Sequence, residues 1–79
     1  MQRYFFHIRD GDKLITDDDG VELPDDQSAV DEARRGAADM LQDAALSGDS
    51  IDHQVIEVTT SAGKVIERVD LRLSGHKPS

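Results

Sequence analysis

The sequence predicts an α+β fold in the order β-β-α-β-β, a single helix packed on one face of one small, mainly antiparallel sheet. Three observations carry that reading. Residues 3–9 and 54–73 partly alternate apolar and polar positions, the period of a half-buried strand. Between Pro24 and Gly48 the apolar spacing changes to three and four, the period of a helix lying on a core. Glycine-bearing turns separate the strand-like segments.

The first strand, residues 3–9, holds all three aromatic residues of the chain consecutively as Tyr4, Phe5 and Phe6. Tyr4, Phe6 and Ile8 point one way, and Arg3, Phe5, His7 and Arg9 the other. Asp10-Gly11-Asp12 is a hairpin signal, and residues 13–16 form the short return strand. Asp17-Asp18-Asp19-Gly20 is a second turn, followed by an extended Val21-Glu22-Leu23-Pro24. Asp25 or Asp26 caps a helix from about Asp26 to Leu46, with Asp31 and Arg35 paired on its outer face. Its stripe is Val30, Ala33, Ala37, Met40, Leu41 and Ala44, rich enough in alanine to bring the helix close to the sheet, and Gly48 ends it. Strands at 54–60 and 65–73 follow, joined by Ser61-Ala62-Gly63-Lys64. The expected core is Tyr4, Phe6, Ile8, Met40, Leu41, Ile56 and Val58, with Ala33 and Ala37 at the closest approach. Residues 1–74 form the single domain expected, and 75–79 an unstructured tail.

Composition narrows the function. The 79 residues carry a net charge of −8, and 19 of them are Leu, Ile, Val or Phe, enough to fold around a thin core. Residues 10–32 concentrate ten acids against one base, Lys13. Such a field repels phosphate backbones, which argues against nucleic acid; it reads first as a solvated rim that keeps a small domain soluble, with a docking surface for a basic protein as the alternative. Without cysteine there is no disulfide, thiolate metal site or cysteine nucleophile. The longest apolar run is Tyr4-Phe5-Phe6, so no membrane span or export signal is expected and the cytoplasm is the expected compartment.

A search for reaction chemistry finds no constellation. His7, His53 and His76 lack ligand spacing, and a calcium loop read through Gly20 would begin at Ile15 and end at Asp26. The serines sit at caps, turns and the tail, and no glycine-rich loop has phosphate-cradling spacing. Neither a cofactor nor a metal is expected, and the chain reads as a non-enzymatic protein.

One helix leaves the second sheet face uncovered. With the first and last strands as neighbours, that face would gather Arg3, Phe5, His7, Arg9, Ile66, Arg68 and Arg72 as a candidate interaction surface. The favoured occupant is a second copy of the chain, packed against Phe5 and Ile66. Aromatic and histidine side chains among arginines also suit stacking of single-stranded bases, which is the alternative.

The residues Arg3-Tyr4-Phe5-Phe6-His7-Ile8-Arg9-Asp10-Gly11, then Asp19-Gly20-Val21-Glu22-Leu23-Pro24-Asp25, then the alanine-rich helix, resemble a family of short bacterial proteins classed as a domain of unknown function. The resemblance runs from Arg3 to about Leu71 and implies a cytoplasmic bacterial protein with no known activity. A looser similarity links the aromatic hairpin, the Leu23-Pro24-Asp25 step and the acidic, alanine-bearing helix to antitoxins with a partial ribonuclease-H-like fold. It implies an inhibitor of a basic partner protein as a further alternative.

Overall fold

The computed structural model describes residues 1–48, 51 and 53–71. The elements are β1 (Gln2–Asp10), β2 (Lys13–Ile15), β3 (Val21–Leu23), α1 (Asp26–Ser47), β4 (Gln54–Thr60) and β5 (Val65–Asp70). They form one α+β unit: an antiparallel five-stranded sheet with a single helix on one face. The segment expected to be merely extended, Val21–Leu23, is a third strand. β1 is long enough to receive two short partners on one edge, β3 against residues 2–4 and β2 against residues 8–10. The last strand ends at Asp70, and the sequence-predicted tail lies outside the described residues.

The main path of the sheet is β2-β1-β4-β5. β4 therefore lies between β1 and β5, and the first and last strands are not neighbours. The β1/β4 ladder runs unbroken from Tyr4↔Thr60 to Asp10↔Gln54. The β4/β5 ladder shifts register between Val58 and Thr59, which pair with Glu67 and Val65, so that Ile66 is passed over in a bulge.

Asp25 is the N-cap of α1, its carboxylate accepting from the Ser28 backbone N–H at 2.8 Å. Gly48 closes the helix in the left-handed conformation at φ 77°, its N–H donating to the Ala44 carbonyl. On the outer face Arg35 pairs with Glu32 at 2.7 Å, not with Asp31, which instead accepts from Gln27 at 3.0 Å. The i,i+3 acid was within reach of the guanidinium, and the i,i+4 acid already had a donor.

Every buried helical residue is alanine: Ala29, Ala33, Ala37 and Ala44. They join Tyr4, Ile56, Val58 and Leu71 as the buried apolar set. Phe6, Met40 and Leu41, expected to be fully enclosed, are half-buried and packed against that core, and Ile8 is half-buried too. The reason is placement. α1 runs over β3, β4 and β5, leaving an apolar cleft of about 210 Å³ beside β1 lined by Phe6, Ile8, Val21, Met40 and Ile56 among others. An alanine stripe buries little area per residue, so the helix gains most over the strands it can approach closely.

Candidate functional site: the open sheet face

The pleat places Arg3, Phe5, His7 and Arg9 of β1 on the face away from the helix. Cross-strand pairing sets Phe5 beside Thr59, His7 beside Glu57 and Arg9 beside Val55. The next ladder sets Glu57 beside Arg68 and Val55 beside Asp70. Glu57 thus lies in the middle of the face between two arginines. Its side chain is only 8% exposed, and Oε2 accepts from Arg9 Nε at 3.3 Å and Arg68 Nε at 3.5 Å. A carboxylate so far removed from water needs such partners.

Phe5 and His7, two residues apart on one strand, stack with ring centroids 6.0 Å apart and planes 17° from parallel. A wide, shallow depression of about 240 Å³ adjoins them, floored by Thr59 and edged by the β4–β5 turn at Ser61 and Gly63. His7 Nδ1 accepts the Asp17 backbone N–H at 3.0 Å, which assigns the neutral ring's proton to Nε2. Arg3 donates to the Asp19 carbonyl at 2.7 Å and to Glu22 at 3.0 Å.

Asp17 holds the rim of this face. β3 and β2 occupy the two ends of one edge of β1, leaving the Phe6 N–H between them without a strand partner. The Asp17 carboxylate takes that position, accepting from Phe6 N at 3.2 Å through Oδ2 and from Gly20 N at 3.2 Å and Asp19 N at 3.3 Å through Oδ1. Burial pushes the Asp17 carboxyl up, but these three backbone donors outweigh it and leave its pKa below the usual carboxylate value. The turn closes only with glycine at position 20. Its φ is 73°, and a Cβ there would stand 2.9 Å from Arg3 Cγ, Phe5 Cε2 and the Tyr4 carbonyl oxygen.

On the helix side, Tyr4 donates its hydroxyl proton to Asp26 Oδ1 at 2.6 Å. That hydrogen bond, with burial and the charges of Asp26 and Asp25, raises the phenol to about 12.

The structure thus brings together five of the seven residues expected on the face: Arg3, Phe5, His7, Arg9 and Arg68. Ile66, in the bulge, is half-buried and packs against the core cluster. Arg72 lies outside the described residues. Two residues central to the face, Glu57 and Asp17, were not singled out from the sequence. Glu57 shares parity with Val55 and Thr59, so its face was legible, but its arginine partners depend on β4 lying between β1 and β5. For Asp17 the signal was the Asp-x-x-Gly turn. Among the described residues no group of three or more side chains is placed to hold a metal, and no helix is long and apolar enough to cross a membrane.

These features define a small α+β protein with one helix-covered face and one open, charge-paired face. The chain belongs to the family described as Domain of unknown function (DUF6894), whose profile matches residues 3–72. No curated protein and no solved structure matches it.

Proposed function

We propose that the chain is a non-enzymatic interaction module that associates with a second copy of itself through the open sheet face bearing Phe5. The observation that carries this reading is the placement of Glu57 between Arg9 and Arg68. Three arginines on a bare face would repel their own copies. Here Glu57 serves Arg9 and Arg68, Glu22 serves Arg3, and Asp70 stands on the same face, so the charges nearly balance within one chain. The Phe5–His7 stack and the shallow depression beside it then offer contact area whose burial meets no net repulsion.

The same pairing weakens the case for a basic protein or a nucleic acid. Most acids of residues 10–32 already have local partners: Asp17 and Asp25 serve backbone amides, Asp26 serves Tyr4, Asp10 and Asp31 accept from Gln54 and Gln27, and Glu22 and Glu32 serve arginines. Sedimentation velocity across a concentration series tests the proposal. The unmutated chain should associate with little dependence on salt, and Phe5→Glu should weaken that association while leaving the helix signal intact. A monomer at all concentrations, or association that collapses as salt rises, would overturn it.

A further inference from the structure

β5 closes one side of the sheet, so one of its backbone edges pairs with β4 and, among the described residues, the other has no strand beside it. The hydrogen-bonding parity of that edge follows from a single bond. Leu71 N donates to the Gln54 carbonyl at 3.0 Å, so Leu71 faces β4 and, by alternation, so do Val69 and Glu67. Arg68 and Asp70 therefore direct their backbone N–H and C=O groups outward. Their side chains both lie on the open face, opposite Glu57 and Val55 in the ladder.

Two copies can join at such an edge as antiparallel strands about a two-fold axis perpendicular to the sheet. That symmetry keeps each face on its own side, so the axis must pass midway between a residue and its own copy. Charge then selects among the registers. An axis at Arg68 sets two guanidinium groups opposite each other, an axis at Glu67 two carboxylates, and an axis at Asp70 two more. An axis at Val69 sets Val69 against its copy on the helix face and Arg68 against Asp70 of the other chain, twice, on the open face. It also makes Arg68 and Asp70 the hydrogen-bonded pair, as their outward groups require. Asp70 is exposed and has no ion-pair partner among the described residues. Arg68 donates to Glu57 through Nε, and its side chain is 64% exposed.

We infer that β5 is a self-recognition edge, joining two copies of this chain through Val69-centred antiparallel pairing into one continuous sheet. This contact is separate from face stacking and does not rest on it. The edge axis stands perpendicular to the sheet, whereas an axis relating stacked faces lies in its plane. Where the two axes meet, the contacts close a D2 tetramer and do not propagate.

Amide hydrogen exchange on the unmutated protein tests the edge without risk to the fold. The Arg68 and Asp70 amides should be protected in the associated state and should lose protection on dilution; free exchange of both in the associated state would overturn the inference. Asp70→Arg should weaken edge association by about tenfold or more, because two attractive pairs become repulsive. Mixing it with Arg68→Asp chains should restore pairing, since each copy then meets opposite charge. Asp70→Pro, which removes an outward N–H at a position where edge strands tolerate proline, should abolish pairing with the helix signal retained. Phe5→Glu should leave the edge dimer intact, so loss of face stacking and loss of edge pairing give different species. Failure of the mixed chains to associate, or full association of Asp70→Pro, would refute the edge.

Discussion

Removing the Asp17 carboxylate tests how the rim is held. In Asp17→Ala, the N–H groups of Phe6, Asp19 and Gly20 lose their acceptor together, and no other strand group can replace it at Phe6. Each hydrogen bond to a charged group contributes about 1.5–3 kcal/mol when well formed. Here the three bonds lie at 3.2–3.3 Å and Asp19 is exposed, so a combined loss on the order of 2–4 kcal/mol is expected. Urea melts of the two proteins at neutral pH measure it. The Asp17 carboxyl is held below its unfolded value, so its contribution is complete above about pH 4 and disappears as pH falls through the lower folded value. The difference between wild type and variant should therefore shrink in acid. Asp17→Asn should lose less than Ala, since the amide oxygen can still accept from one side while its NH2 cannot. A loss below about 0.5 kcal/mol for Ala, or one unchanged between neutral pH and pH 3, would refute this account of the rim.

Further outcomes follow from the same geometry. Phe6→Ala should cost about 2–3 kcal/mol in denaturant melts, below the range for a fully enclosed phenylalanine, because Phe6 is half-buried at the cleft. The Tyr4 phenol, followed by ultraviolet absorbance, should titrate near 12; its stabilising contribution is complete below about pH 10 and is lost as pH rises toward that value. A midpoint near the free phenol value in the folded protein would mean that the Asp26 hydrogen bond does not form. Gly20→Ala should destabilise by about 2 kcal/mol or more, combining a left-handed backbone with a clash at Phe5, whereas Gly63→Ala, with open space around it, should show the backbone cost alone.

Local signals made much of the fold legible. The alternation of Tyr4, Phe6 and Ile8, the change of period at Pro24, the cap at Asp25 and the glycine at position 48 each act over a few residues, and each is met in the structure. The third strand was not legible, because three residues of Val21–Leu23 carry too little pattern to tell pairing from mere extension. Strand order was also hidden, since no local signal says which strand lies beside β1. That order decides the site: with β4 in the middle, Glu57 falls between Arg9 and Arg68, and a face that reads as basic in the sequence becomes charge-paired. The extent of burial failed for a related reason. Periodicity tells which way Phe6 and Ile8 point, but not that an alanine-lined helix would settle toward β5 and leave them at its margin.

The thin core and the open face have one physical origin. Among the described residues only Tyr4, Leu71 and Val58 are large side chains removed completely from water, while Ile15 and Val21 remain exposed at 53% and 40%. A domain of this size leaves a large share of its chain surface in water whatever its fold, so its own core supplies little margin. Polar devices make up part of the difference: Asp17 completing an interrupted sheet edge, Glu57 clamped by two arginines, and Tyr4 tied to the first turn of the helix. Each of these fixes geometry more than it removes apolar area. Association would add the missing burial at no cost in chain length, and its contribution to stability grows with the logarithm of concentration. The melting temperature of the unmutated chain should therefore rise as protein concentration rises, and that rise should be reduced, without vanishing, in Phe5→Glu and in Asp70→Pro separately. A melting temperature independent of concentration would place the whole of the stability within the single chain, and the charge pairing of the open face would then serve solubility alone.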